Sequence, residues 1–227
     1  EVRVILFTAA GPAFSAGGNL GNIHDRLSEP MGADGRDPIA AGNRQYGEFL
    51  TQLIHCPKVT VASVQGAAMG GGAGLACAVD ICVGSPAAKF GFPEVAIGLV
   101  PGQILPFVAA RLGWQTARRL VLTGERIDAT EAHRIGLLDY LAESSEALTD
   151  KTQEVLRHLI AAAPQASAVT KRMLSCVPTA PLAGNADLPM YLDAASHWFA
   201  AQMRTEAVEG VTASREKRSA SWNPSQA

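Results

Sequence analysis

VASVQGAAMGGGAGLACAVDICVGSPAAKFGFPEVAIGLVPG, residues 61–102, is the stretch whose reading decides the fold. Its lead-in, residues 58–64, alternates β-branched and small residues and predicts a buried strand. A glycine-rich run, residues 66–74, follows at once, and residues 75–78 complete a short helix. Residues 80–84 and 88–92 then read as two further short strands. Strands that alternate with short helices imply α/β connections rather than an all-β sandwich.

Upstream, residues 2–8 form a β-branched apolar run ended by the turn pair Gly11-Pro12. Residues 28–38, SEPMGADGRDP, are polar and turn-forming and read as a mobile surface loop. Residues 39–56 carry apolar positions at Ile39, Phe49, Leu50, Leu53 and Ile54, the spacing of a helix that Pro57 stops. Downstream the character changes. Residues 103–122, 129–135, 147–162 and 165–176 have helical spacing, residues 178–189 are a break, and residues 190–217 are again helical. The expected division is therefore an α/β core over residues 1–140 and a helical region over residues 141–227. Because the chain opens directly on a strand-like run, earlier strands and the ligand contacts they carry are expected to lie outside it.

Of the 227 residues, 48% are hydrophobic and 18% charged, the balance of a globular chain with a full core. The net charge of -2 gives no global field for nucleic acid or an anionic membrane, so anion recognition has to be local. Cys56, Cys77, Cys82 and Cys176 form no CxxC pair, and three of them lie in apolar runs, which points to a reducing, cytoplasmic setting without a metal site. No membrane-length apolar run is visible. His133, His158 and His197 fall at helical spacing without a partnering Ser or Cys and read as structural or surface residues.

Two segments carry chemistry: GPAFSAGGNL, residues 11–20, and QGAAMGGGAGL, residues 65–75. Each follows a strand-like run, where glycines allow close backbone approach and leave N–H groups to point at an oxygen. Two such N–H groups from separate segments make an oxyanion hole, the device that stabilises an enolate derived from a thioester. Glycine-rich loops alone also serve as tight turns. Neither segment matches GxxxxGK[ST], and no acidic residue follows as a dinucleotide site requires.

In order and spacing, AFSAGGNL, the stretch 61–102, RLGWQTARRLVLTGERIDATEAHRIGLLD (residues 111–139) and EGVTASREKRSASW (residues 209–222) resemble the enoyl-CoA hydratase/isomerase (crotonase) superfamily over nearly the whole chain. The resemblance implies a spiral of ββα units with a helical C-terminal trimerisation region, and a homotrimer or dimer of trimers. It implies an acyl-CoA thioester substrate, with coenzyme A as part of that substrate and no separate cofactor. Gly18 and Gly71 would donate the two oxyanion-hole N–H groups, with Ala16 beside the first. Asn19 stands where Asp is usual and reads as a turn-capping change.

Hydratases of the family use two glutamates. Glu94, in GFPEVAIG, matches the second, and its apolar surroundings (Phe90, Phe92, Val95, Ile97) would raise its pKa towards neutrality. Gly74 occupies the place of the first and can neither accept nor donate a proton. Gly102 matches the N–H that faces the attacking water, and Gln103 begins a variant run similar to hydratases for branched glutaconyl-type thioesters. Lys217 and Arg218 match basic residues that reach CoA phosphates. The implied activity is hydration of a 2-enoyl-CoA. The alternatives are a one-glutamate isomerase moving a double bond from C3 to C2, and a non-catalytic CoA-binding member of the fold.

Overall fold

Val59–Val64 (β3) is buried at five of its six positions, so its β-branched residues serve both faces of a sheet. The structure, a computed structural model, describes residues 2–18, 30–177 and 187–223. Strands come in successive pairs: Val4–Phe7 (β1) with Ala13–Ser15 (β2), β3 with Ala67–Met69 (β4), and Ile81–Gly84 (β5) with Lys89–Gly91 (β6). The first strand of each pair joins one sheet and the second joins another. With Arg126–Asp128 (β7) and Tyr140–Leu141 (β8), the sheet orders are β1-β3-β5-β8 and β2-β4-β6-β7. Pairing is parallel in β3–β5, β5–β8, β2–β4 and β4–β6, and antiparallel between β6 and β7.

Parallel neighbours need crossovers, and helices supply them. Pro38–His55 (α1) leads to β3 and buries Gly47, Leu50 and Leu53; it ends two residues before Pro57, whose ring disfavours helix in the preceding residue. Gly71–Ala78 (α2) leads from β4 to β5. The ββα repeat expected from the sequence is thus the arrangement of this core.

The helix expected over residues 103–122 is two helices, Leu105–Leu112 (α3) and Trp114–Thr123 (α4). Gly113, at φ 74° and ψ 158°, breaks it; the hydrophobic period runs across the glycine, but the backbone does not. Ala129–Arg134 (α5) follows, its start capped by the Asp128 carboxylate accepting from Glu131 N at 2.8 Å. Leu148–Ala161 (α6) and Pro164–Cys176 (α7) lie where helices were expected. The last helical stretch differs. It begins at Asp187, with Pro189 tolerated in its first turn, and comprises Asp187–Met203 (α8) and Glu206–Glu216 (α9). Glu206, the first residue of α9, accepts from the N–H groups of Gln165 (2.8 Å) and Ala166 (2.7 Å), capping α7.

The chain divides into two compact units. One comprises the described residues of Leu6–Ile54 and Thr60–Gln153 and holds the apolar core, centred on Phe90, Phe92, Leu50, Leu120, Leu137 and Val64. The other comprises those of Glu1–Ile5, His55–Val59 and Glu154–Ala227. In it Arg3 donates to the carbonyls of Trp222 (2.9 Å), Ile160 (3.2 Å) and Ala162 (2.6 Å). Among the described residues no helix is long and apolar enough to cross a membrane.

Candidate active site

The two glycine-rich segments meet. A Cβ on Gly17 would lie 2.5 Å from the Met69 carbonyl oxygen and 3.1 Å from Gly71 N, and Gly17 itself sits at φ 82°, so position 17 admits only glycine without strain. A Cβ on Gly72 would lie 2.5 Å from the Ser15 Cβ. The end of β2 therefore lies directly against the corner where β4 turns into α2. Gly18, next to Gly17, is exposed, as is Ala16. Gly71 is the first residue of α2, where the N–H has no carbonyl one turn back. These are the two residues that the sequence singled out as N–H donors, and the helix end adds a partial positive charge.

Tyr46 of α1 secures this corner. Its hydroxyl donates to the Gly71 carbonyl at 2.5 Å, and its ring lies 3.4 Å from where a Gly71 Cβ would be. Burial pushes the Tyr46 phenol up to about 12, so it is a fixed, neutral donor at ordinary pH.

Glu94 belongs to a 3-10 turn, Pro93–Ile97, in which Pro93 presets the first φ and Gly98 (φ 76°) ends the turn. Leu99 N donates to the Glu94 carbonyl at 2.9 Å. The carboxylate reaches back to the glycine corner: Oε1 lies 2.9 Å from where a Gly70 Cβ would be. Oε2 is buried and accepts no hydrogen bond from any described residue. Desolvation raises the Glu94 pKa above the ordinary carboxylate range, opposed by a smaller effect of its own backbone N–H. Phe90 and Phe92 are fully buried, whereas Val95 and Ile97, expected to join an apolar surround, are exposed.

Gly74 is buried inside α2, and the direction its side chain would take is filled: a Cβ there would lie 2.7 Å from the Ile104 Cβ. Ile104, 3% exposed, thus holds the ground on which the family's first glutamate would project. Gly102 faces open space. The Gln103 side chain lies over Gly47 of α1, its Cδ 3.0 Å from where a Cβ would be.

Lys217 and Arg218 belong to the other unit. Lys217 ends α9 in the left-handed conformation (φ 55°). Arg218 donates to Glu216 at 2.7 Å and to Glu209 at 2.7 and 3.0 Å; the two bonds to Glu209, with one from Ser221 N, hold the Glu209 carboxyl down at about 2. The Arg218 charge is already matched by two carboxylates. Asn19 lies outside the described residues. Among the described residues no group of three His, Cys, Asp or Glu gathers as a metal set. His133 accepts or donates locally, Nδ1 to the Leu138 carbonyl at 3.1 Å.

Sequence reasoning passed over Tyr46, Gly47 and Ile104. Tyr46 falls three and four residues before Phe49 and Leu50, so the helical period contained it; Ile104 had no such signal, because its importance comes from contact with a distant glycine.

A family model described as enoyl-CoA hydratase/isomerase matches residues 1–225. The chain is 30% identical over 223 residues to the cyclohexa-1,5-dienecarbonyl-CoA hydratase of Thauera aromatica, covering 97% of this chain and 79% of that protein. Among solved structures, an enoyl-CoA hydratase/isomerase from Marinobacter aquaeolei is 40% identical with a TM-score of 0.88, covering 98% of this chain and 82% of that one. Pseudomonas aeruginosa AtuE is 36% identical with a TM-score of 0.87, covering 97% and 82%. Across the curated relatives the matched stretch spans from 54% to 82% of their own length. The chain belongs to the enoyl-CoA hydratase/isomerase family and has the crotonase fold.

Proposed function

We propose that this chain hydrates a 2-enoyl-CoA with one carboxylate. The observation that carries this reading is Glu94: a carboxylate with a buried oxygen that has no partner among the described residues, a raised pKa and a position against the Gly70–Gly71 corner. The Gly18 and Gly71 N–H groups hold the thioester oxygen and take up the negative charge that develops there, a contribution of about 3 kcal/mol per donor. Ionised Glu94 accepts a proton as the water oxygen bonds to C3. It then returns that proton to C2 as the enolate collapses, so the carboxylate ends as it began. Ala16 and Gln103 line the acyl group, the Gly102 N–H steadies the water, and Gly74 takes no part in proton transfer. Of the two tail cations, Lys217 rather than Arg218 is assigned to a CoA phosphate, because Arg218 is already paired. A branched glutaconyl-type acyl group, a trimeric or hexameric assembly and a cytoplasmic site complete this reading.

Isomerisation is the second reading, and Ile104 favours it: with its side chain against Gly74, an apolar wall stands where a second acid would hold water. Glu94 alone would then take a proton from C2 of a 3-enoyl-CoA and return it to C4. Separate incubation with a 2-enoyl-CoA and a 3-enoyl-CoA distinguishes the two. Hydration predicts a 3-hydroxyacyl product from the 2-enoyl substrate. Conversion of the 3-enoyl substrate alone, with no hydroxyacyl product, would overturn it.

A further inference from the structure

We infer that Gln65 is a positioning residue for the thioester oxygen, an inference that rests on the acyl-thioester reading above: its amide fixes where β2 ends, and with it where the Gly18 N–H stands relative to the Gly71 N–H. β2 needs an anchor. Among the described residues it is an edge strand, and its ladder to β4 is short and irregular, with Ala13 opposite Ala67 but Ser15 opposite Ala68. Two residues of advance on β2 thus meet one on β4, the count of a bulge, where ladder bonds are disrupted. Ala16, Gly17 and Gly18, which follow, belong to no strand and take their position from it.

Gln65 supplies that anchor from the point where the chain crosses between the sheets, after β3 and before β4. Its Nε2 donates to the carbonyls of Ala9 (3.1 Å), Gly11 (3.1 Å) and Ala13 (3.0 Å). Two hydrogens serve three acceptors, so one is shared, and the turn that feeds β2 is gripped at every second residue. Beside it a Cβ on Gly66 would lie 1.9 Å from the Pro12 carbonyl oxygen, so these two crossings pack backbone on backbone. The Gln65 main chain is fixed from the other side: buried Ser85, after β5, donates its hydroxyl to the Gln65 carbonyl at 2.9 Å. The middle crossing therefore ties the first to the third. The amide is present although its Oε1 is buried and accepts no hydrogen bond from any described residue, a cost that an apolar side chain of the same length would not carry.

The probe is butyryl-CoA labelled with carbon-13 at the thioester carbonyl, a saturated ligand that binds without reacting. Two N–H donors lower the stretching frequency of the bound carbonyl, which difference infrared spectroscopy reads directly. Gln65→Met keeps the side-chain length and removes the donors. Gln65→Asn, a milder change should the first not fold, draws the amide back by one carbon. Ser63→Ala, in β3, removes a buried bond to Thr152 (2.9 Å) and is the purely structural comparison. Wild type is expected to show the lowered band, and the Gln65 variants to lose roughly half or more of that lowering. Their kcat, on whichever of but-2-enoyl-CoA and but-3-enoyl-CoA reacts, should fall about 10- to 100-fold with KM within about threefold. Ser63→Ala should keep the wild-type band and kcat while its urea midpoint falls. Wild-type band and kcat in a folded Gln65 variant, or the same losses in Ser63→Ala, overturn the inference. An unshifted carbonyl in wild type removes the oxyanion-hole reading itself, and the inference with it.

Discussion

In the one-carboxylate reading Glu94 has to ionise to work while its burial resists ionisation, and this conflict sets its expected behaviour. Burial raises its pKa, so activity is expected to rise with pH along a limb above the ordinary carboxylate range. A pH–rate profile of kcat shows that limb in wild type. Glu94→Gln should lower kcat by about 10²- to 10⁴-fold and leave acyl-CoA affinity nearly unchanged. Stability runs the other way. Between the unfolded pKa and the raised folded one the native state holds more protons, so stability falls as pH rises through that window. Glu94→Gln is therefore expected to melt higher than wild type at pH 7, with the difference vanishing at acid pH, as thermal melts at both pH values would show. Gly74 is governed by contact instead. Gly74→Ala drives a methyl into Ile104 and should cost about 1–3 kcal/mol, read as a lower urea midpoint with an unchanged slope.

The active corner is an agreement among three elements: the end of β2, the start of α2 and the turn Pro93–Ile97. α1 ties to the start of α2 through one hydroxyl. Tyr46→Phe keeps the ring contact and removes the donor, so it should cost about 0.5–1.5 kcal/mol of stability. It should also lower kcat more than it raises KM, because the Gly71 N–H loses its fixed aim; chemical denaturation and steady-state kinetics read the two effects. Elements differ in how much of this the sequence carried. β3 and β5 announce themselves by β-branched runs. β2, β4 and β7 have three residues each, too few for a period of two to register, and their pairing partners are distant in sequence. Gly18 and Gly71 stand out in the sequence because they lie in glycine-rich segments that resemble the family's, whereas the close approach at Gly17 shows only in the fold. Ile104, an ordinary apolar residue, does not stand out, since only the folded chain shows what it excludes.

At the scale of the molecule, the reading of four thiols without a framework gives a simple check. Cys77 and Cys82 are buried, and burial pushes the Cys77 thiol up to about 12 and raises that of Cys82 as well. Cys176 is exposed and Cys56 half-buried. An aromatic disulfide reagent is expected to label Cys176 at once and Cys56 more slowly, and to reach Cys77 and Cys82 only after denaturant is added. The strand order has a further consequence, for the time course of folding. Among the described residues only β6 pairs with the strand next in order, and two helices separate even that pair; every other ladder skips a strand. No early hairpin can template either sheet, so long loops must close before most ladder bonds form, and such topologies fold slowly. On the ribosome, β3 waits for β5 and β4 for β6, which leaves their unpaired edges dependent on protection from neighbouring chains until the next repeat has emerged.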